Sequence, residues 1–279
     1  MSEASAQTPP HEALEIRPLG PEHVAGALAL SRQVGWPHRK EDWGLALAVS
    51  EGVVATEGDK VTGTACCSRF GAVSLLNMII VDEAMRGRGL GRQLMQAVMA
   101  LVAGGEMRLV ATREGLPLYE KLGFVATHEI RQHQGIARST EPELSIVAGT
   151  VADIGQLAEM DRQASGLERR GLLELIAAEG QVLLAENGFA LLREFGRGHV
   201  VGPVVAKDAA TARALITEAA RRTAGGFLRI DLPEAAGLSE FVTALGLDHA
   251  GGGTAMALAP APADTGDYKT YALVSQALG

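Results

Sequence analysis

One glycine- and arginine-rich segment carries the residue types best suited to chemistry, Arg86-Gly87-Arg88-Gly89-Leu90-Gly91. It follows the apolar stretch Val73–Val81, which is typical of a buried strand, and it precedes a segment with helical periodicity. Glycines let a ligand approach the backbone closely, and the first N–H groups of a helix have no acceptor within that helix. Such a helix start binds anions, and a pyrophosphate is the ligand that we expect. Arg86, Arg88 and Arg92 add positive charge.

Two other glycine-rich phosphate sites fit the surrounding sequence less well. A P-loop requires Lys followed by Ser or Thr after its last glycine, whereas Arg92 and Gln93 follow Gly91. A dinucleotide fold places its loop after the first strand and an acidic residue at the end of the second, but this loop follows the fourth predicted strand. From these residues alone, a solvated turn with flexible glycines is the remaining alternative.

Two segments together resemble the GCN5-related N-acetyltransferase (GNAT) superfamily. They are MIIVDEAMRGRGLGRQLM at 78–95 and LYEKLGF at 118–124. The acetyl-CoA signature of the superfamily, Arg/Gln-x-x-Gly-x-Gly/Ala, is matched by Arg86, Gly89 and Gly91. The resemblance extends along the whole first half of the chain. It implies an α/β fold with a mixed sheet of the α+β type, acetyl-CoA as co-substrate, and no metal.

The resemblance also assigns roles around the cofactor. It implies that the loop N–H groups bind the pyrophosphate, and that backbone groups of Ile79, Ile80 and Val81 bind the pantetheine arm where their strand diverges from its neighbour. Relatives often use a tyrosine at the position of Tyr119 as the acid for the departing thiolate. A thiol with a pKa of about 8.5 leaves as the thiolate, which a nearby hydroxyl can stabilise or protonate. A tyrosine that only packs its ring is the alternative.

The acceptor side is less sharply defined. His38, Glu41 and Asp42 lie in a predicted helical hairpin that borders the acceptor site in relatives, and each is a candidate general base, with a surface or capping role as the alternative. Trp36 and Trp43 are candidates to line the acceptor pocket, with core packing as the alternative. Because no Ser-His-Asp pattern or cysteine nucleophile is evident, we predict direct attack of an amine on the thioester.

Composition excludes several classes of protein. The 279 residues favour two domains, and 47% hydrophobic residues suffice for a packed core. The absence of an apolar run of about 18 residues and the polar first ten residues predict neither a membrane span nor a secretory signal. The only cysteines, Cys66 and Cys67, are adjacent, which argues against a disulfide framework or a zinc site and favours the cytoplasm. A net charge of −8 with 4% aromatics argues against nucleic-acid binding.

The chain repeats one order of elements, which predicts tandem domains at 1–140 and 141–279 with a linker near 138–143. In the first half we predict four helices: at about 21–32, at about 41–51, directly after the glycine-rich loop, and a short one that ends at Gly123. Strands are predicted at 14–18, 52–56, 61–68, 73–81, 107–112 and from 124. In the second half we predict helices from 150, at 168–178, at 208–223 and within 237–247. Strands are predicted at 144–147, 182–185, 189–195, 199–205 and 227–232, and the alternating tail Tyr271-Ala-Leu-Val-Ser can add a further strand.

The second half is predicted to keep this scaffold without the cofactor site. No glycine lies between Ala206 and Leu215, where the loop would be, and Phe241 aligns with Tyr119. The favoured function is acetyl-CoA-dependent N-acetylation of a primary amine, with a small molecule as the expected acceptor. The alternative is a non-catalytic protein that holds CoA or an acyl-CoA as a structural or sensory ligand. The sequence identifies neither the acceptor amine nor the oligomeric state.

Overall fold

A computed structural model describes residues 13–102, 104–260 and 266–279 of the chain, so that the polar first ten residues lie outside it. Its helices are α1 (Val24–Gln33), α2 (Lys40–Ala48), α3 (Leu90–Ala100), α4 (Leu116–Lys121), α5 (Ile154–Ser165), α6 (Arg170–Glu179), α7 (Ala209–Arg222) and α8 (Ser239–Ala244). Its strands are β1 (Leu14–Pro18), β2 (Glu51–Glu57), β3 (Lys60–Phe70), β4 (Val73–Val81), β5 (Glu106–Ala111), β6 (Val125–Ile136), β7 (Val147–Gly149), β8 (Gln181–Ala185), β9 (Gly188–Phe195), β10 (Gly198–Ala206), β11 (Phe227–Pro233), β12 (Leu247–Leu258) and β13 (Lys269–Ala272). No helix among these residues is long and apolar enough to cross a membrane.

The strands form one mixed sheet in which the two halves of the sequence exchange strands. The order is β1-β2-β3-β4-β5-β12-β6-β11-β10-β9-β8-β7, with β13 paired to β10. Strand β6 belongs to the first half, yet both of its neighbours, β11 and β12, belong to the second. Met256 of β12, for example, pairs with Leu109 of β5 on one side and Ala126 of β6 on the other. Neither half therefore completes its sheet with its own residues.

Helices cover both faces of the sheet. Cys66 and Cys67 are adjacent in β3 and point to opposite faces, Cys66 into the cluster with α1 and α2, and Cys67 into the cluster with α3 and α4. In the second half, Leu191 of β9 packs with α5 and α6 while Leu192 packs with α7 and α8. The cluster around α5 and α6 also takes in first-half residues of β4, and it thus joins the two halves.

The element order agrees with the sequence prediction, with two differences. The strand predicted at 144–147 is wrong apart from its last residue, because Leu144 is exposed and β7 begins at Val147. Strand β12 was not predicted, because Gly251–Gly253 reads as a break. The sheet requires glycine there, since a Cβ on Gly252 would lie 1.9 Å from the Ile130 carbonyl oxygen. The glycines thus permit a bulge within the strand.

Candidate active site

The loop after β4 is fixed at its start by Asp82. One carboxylate oxygen of Asp82 accepts a hydrogen bond from the backbone N–H of Ala84 (2.9 Å), and the other forms an ion pair with Lys60 Nζ (2.8 Å). The hydrogen bond from Lys60 lowers the pKa of the Asp82 carboxyl below its usual range. The carboxylate therefore stays charged and holds the short 3₁₀ turn Glu83–Met85 that leads into the glycines.

The glycine loop presents free donors at the start of α3. Gly87 and Gly89 have φ values of +75° and +82°, and a Cβ added to either would meet no atom within 4 Å. The left-handed backbone, rather than a lack of space, therefore selects glycine at these positions. Within the described residues, the N–H groups of residues 87–91 donate no hydrogen bond. This arrangement fits a pyrophosphate, and exposed Arg86, Arg88 and Arg92 surround it.

Strands β4 and β5 separate just before the loop. They pair in parallel only from Val73 with Glu106 to Leu75 with Arg108, after which β5 continues beside β12. Met78 has a φ of +50° at a register shift between β3 and β4, and its carbonyl accepts a hydrogen bond from Thr64 Oγ1 (2.7 Å). Beyond this bulge, the backbone of 79–81 has no strand partner on the β5 side among the residues that the structure describes. An extended ligand arm fits this open edge.

Tyr119 lies on α4 with its ring buried against the core. Its side chain is 6% exposed, its ring meets that of Phe124 edge to face (6.3 Å between centroids), and a Cβ on Gly115 would lie 2.8 Å from its Cε2. Burial raises the pKa of Tyr119 to about 12. No hydrogen bond to its hydroxyl occurs in the part of the chain that the structure describes, and burial alone shifts its pKa. The phenol is therefore protonated at neutral pH and available as a donor.

Among the described residues, the second half shows neither the open strand edge nor the free helix start of the first half. Strands β10 and β11 also separate after a short parallel pairing, but β13 fills their gap by pairing with residues 204–206 of β10 and by a bond from Leu273 N–H to the Asp231 carbonyl. Asp208 caps α7 by accepting a hydrogen bond from Thr211 N–H (2.7 Å), so that a carboxylate occupies the helix start. Both features oppose a bound phosphate ester.

The alignment of Phe241 with Tyr119 is wrong by one residue. Tyr119 N–H bonds to the carbonyl of Gly115 and Val242 N–H to that of Leu238, and both helices end three residues later at a Leu-Gly pair. Val242 therefore occupies the place of Tyr119, and it is fully buried. The second half still lacks the hydroxyl, because valine is apolar.

Comparison with known proteins agrees with this geometry. Residues 48–126 and residues 157–271 each match a family model described as an acetyltransferase (GNAT) domain. The uncharacterized N-acetyltransferase YitH of Bacillus subtilis (strain 168) is 31% identical over 285 residues, which cover 95% of this chain and 98% of YitH. This chain belongs to the GNAT acetyltransferase family. It is thus an acyltransferase, and the family predicted from the loop is confirmed.

Solved structures show the same fold for the tandem arrangement. A candidate acetyltransferase from Pyrococcus horikoshii matches with a TM-score of 0.84 at 20% identity, over 100% of both chains. A tandem GNAT protein from the clavulanic acid biosynthesis pathway matches with a TM-score of 0.63 at 13% identity, over 90% of this chain and 100% of that one. The predicted mixed α/β fold with tandem GNAT domains is confirmed.

Two of the acceptor-side candidates in this GNAT protein have structural roles. Trp43 is fully buried, and its indole N–H donates to Ser31 Oγ (2.9 Å), so that core packing accounts for it. Asp42 accepts hydrogen bonds from the N–H of Arg39 (2.8 Å) at the start of α2 and of Gly196 (3.0 Å) in the second half. It also forms an ion pair with buried Arg193 (3.4 Å). Asp42 therefore fastens the two halves to each other.

Trp36 and His38 lie at the boundary between the halves. The His38 ring is 5.6 Å from that of Trp36 and 5.3 Å from that of Phe195, which belongs to the second half. Burial lowers the pKa of His38 to about 4, and its buried Nδ1 has no hydrogen-bond partner among the described residues. A neutral imidazole with so low a pKa is a weak base.

Glu41 is exposed beside a cavity of about 120 Å³ between α2, α6 and β9.

Second-half residues at this boundary were missed by sequence reasoning. Arg193 and Arg229 place their guanidinium groups 5.0 and 5.2 Å from the centroid of the Phe195 ring. Arg229 is bonded to fully buried Asp231, which also accepts from Gln276 Nε2 (2.9 Å). The sequence signal that points to Arg229 and Asp231 is their position as two opposite charges, two residues apart, in the otherwise apolar strand FLRIDLP. Within the described residues, no group of three or more His, Cys, Asp or Glu side chains could hold a metal.

Proposed function

We propose that this chain transfers an acetyl group from acetyl-CoA to a primary amine of a small molecule, at one site in the first half. The observation that carries the proposal is a coincidence of three features. Among the described residues, the N–H groups of 87–91 donate no hydrogen bond, β4 beyond Leu75 has no partner on the β5 side, and the Tyr119 hydroxyl has no hydrogen-bond partner. The first two features lie at the end of β4, and Tyr119 lies on α4, which follows β5, the strand that separates from β4. Together they fit acetyl-CoA use as it is known in this family.

Each part of the site has a distinct task. Bound acetyl-CoA supplies a thioester that a neutral amine can attack, with coenzyme A leaving as the thiolate. The N–H groups of 87–91 and the neighbouring arginines hold the pyrophosphate, and the backbone of Ile79–Val81 aligns the arm. Tyr119 donates a hydrogen bond to the sulfur that gains negative charge. With a pKa of about 12, it acts through that hydrogen bond more readily than by full proton transfer.

The amine loses its proton without a strong base among the predicted candidates. His38 has a pKa of about 4, far below that of an alkylammonium, and Asp42 is committed to Arg39, Arg193 and Gly196. Glu41, the third candidate, is an exposed carboxylate, and a carboxylate is a much weaker base than an amine. We therefore propose that the amine enters in its neutral form or passes its proton to solvent. The free, buried thiols of Cys66 and Cys67 suit the reducing cytoplasm, where we place the reaction.

Release of free thiol tests the proposal. The full chain is incubated with acetyl-CoA and, separately, with each of tyramine, spermidine, glucosamine and lysine methyl ester, and thiol is measured over time. We expect amine-dependent release and an N-acetylated product by mass spectrometry. Tight binding of acetyl-CoA without thiol release for any amine would instead support the non-catalytic, ligand-holding function.

A further inference from the structure

Asn77 has an unpartnered oxygen at the point where β4 and β5 separate. It is one of two polar residues in β4, with Ser74, and its side chain is 4% exposed. It lies two positions after Leu75, the last residue of β4 that pairs with β5. Its Oδ1 is buried and has no hydrogen-bond partner among the described residues.

The neighbours of Asn77 fix which end of its amide is which. The Nδ2 atom donates to Ser68 Oγ (2.9 Å) and to the Leu75 carbonyl (3.3 Å). Because a carbonyl cannot donate, the atom that faces Leu75 must be nitrogen, and the unpartnered atom must be oxygen. Ser68 Oγ is itself 2.7 Å from Ser50 Oγ, which holds the group in place. A buried carbonyl without a hydrogen bond is destabilising, so that a partner is expected.

Asn77 lies on the face of the sheet away from α3. Leu75 packs with α5 and α6, whereas Leu76 packs with α3 and α4. Since side chains alternate along a strand, Asn77 shares the face of Leu75, and Ser74 shares that of Leu76. The glycine loop at the start of α3 therefore lies on one side of the gap between β4 and β5, and the Asn77 oxygen lies on the other side. Trp36 and His38 lie on the same side as the Asn77 oxygen.

We infer that Asn77 Oδ1 accepts a hydrogen bond from the acceptor amine and orients it toward the thioester, an inference that rests on the proposed function. A neutral primary amine can give one N–H to Asn77 and keep its lone pair for attack. The N–C bond forms, the C–S bond breaks, the thiolate accepts a hydrogen bond from Tyr119, and the amine proton passes to solvent. An amide oxygen is too weak a base to deprotonate an alcohol, which makes N-transfer the expected chemistry over O-transfer.

Steady-state kinetics of the full chain test this role, with the panel amine that the wild type acetylates best as the probe. Asn77→Ala should raise KM for the amine roughly tenfold, while the KM for acetyl-CoA and the slow hydrolysis of acetyl-CoA without amine stay within about twofold. Ser74→Ala, a buried polar change in the same strand on the opposite face, is the control and should leave the amine KM unchanged.

A charged replacement gives a second readout. Asn77→Asp places a carboxylate beside the amine, which stabilises the ammonium form, so that the acidic limb of kcat should move to higher pH. An unchanged amine KM in Asn77→Ala, with acetyl-CoA bound normally, would overturn the inference and leave the proposed transfer standing. Failure of the wild type to acetylate any panel amine while it binds acetyl-CoA would overturn the transfer and the role of Asn77 together.

Discussion

Val205 of β10 is paired with Thr270 of β13, and this pairing closes an edge in the second half that its counterpart in the first half leaves open. The equivalent edge in the first half belongs to β4, where the backbone after Leu75 has no partner on the β5 side within the described part of the chain. In the second half the gap between the parallel strands is therefore filled by the chain itself, whereas in the first half it is open among the described residues. Asp208 at the start of α7 adds a negative charge where the first half presents free N–H groups.

This difference predicts one acetyl-CoA site per chain. Removal of β13 from its gap would cost its backbone hydrogen bonds, so that a second molecule should not bind at accessible concentrations. Isothermal titration of the full chain should give a stoichiometry near one. Two equivalent sites per chain would contradict the prediction.

Substitution of Gly89 by Asp should abolish cofactor binding. The new carboxylate would face the pyrophosphate, and we expect Kd for acetyl-CoA to rise by more than about a hundredfold. Gly91→Glu should weaken binding in the same way, because it also places a carboxylate in the loop. The fold should tolerate this change, because a Cβ on Gly91 would make only ordinary contacts, 3.4 Å from Leu118 and 3.6 Å from Val81.

Gly225→Asp is a matched control for the loop variant. Gly225 has a φ of +80°, close to the +82° of Gly89, and a Cβ on it would also meet nothing within 4 Å. Both substitutions thus introduce the same backbone strain, but only Gly89 lies in the glycine loop. Equal loss of affinity in the two would mean that strain, rather than charge at the pyrophosphate site, is responsible.

The sequence predicts local features well and contacts between the halves poorly. The loop and β4 are encoded by residues adjacent in the chain, and Val73–Val81 forms the predicted strand with its predicted bounds. The exchange of β6 and β12 could not be predicted in this way, because alternating side chains indicate that a segment is a strand but not which strand it pairs with. For the same reason, no pattern near His38 indicates that its ring meets Phe195, 157 positions later.

Tyr119→Phe should lower kcat by roughly ten- to a thousandfold, as expected for a lost acid or hydrogen-bond donor, with little change in acetyl-CoA affinity. Tyr271→Phe is the control, since Tyr271 is similarly buried (7% exposed) but lies in β13. Unchanged kcat in Tyr119→Phe, when chemistry limits the rate, would leave Tyr119 with packing alone.

The same residue makes a prediction about pH. A tyrosine donates only while protonated, and the raised pKa of about 12 moves its loss of the proton well above the ordinary value of about 10. The ratio of wild-type to Tyr119→Phe kcat should therefore stay constant from about pH 7 to pH 10. A ratio that falls through this range would show that Tyr119 ionises earlier than its burial implies.

Asp42→Ala should destabilise the whole chain by about 3 kcal/mol, because it leaves Arg193 buried without its charged partner. Asp153→Ala is the matched control. Asp153 holds the corresponding capping position in the 3₁₀ turn Val151–Asp153 that leads into α5, where it accepts from Thr150 N–H (2.7 Å). Among the described residues its hydrogen bonds stay within that turn, so that its loss should cost about 1 kcal/mol. Urea unfolding measures both changes, and equal losses would contradict a fastening role for Asp42.

The strand exchange predicts that a fragment of residues 1–140 is insoluble or inactive. In this fragment β6 would keep neither of its neighbours, and β5 would lose β12. Twelve residues of β6 would then expose unpaired backbone groups, which favour aggregation. Co-expression of 1–140 with 141–279 as separate chains should restore solubility and acetyl transfer, because the exchanged strands, rather than the linker, join the halves. A soluble, monomeric 1–140 fragment with the activity of the full chain would show that β6 can pair within the first half, and it would contradict the need for the second half.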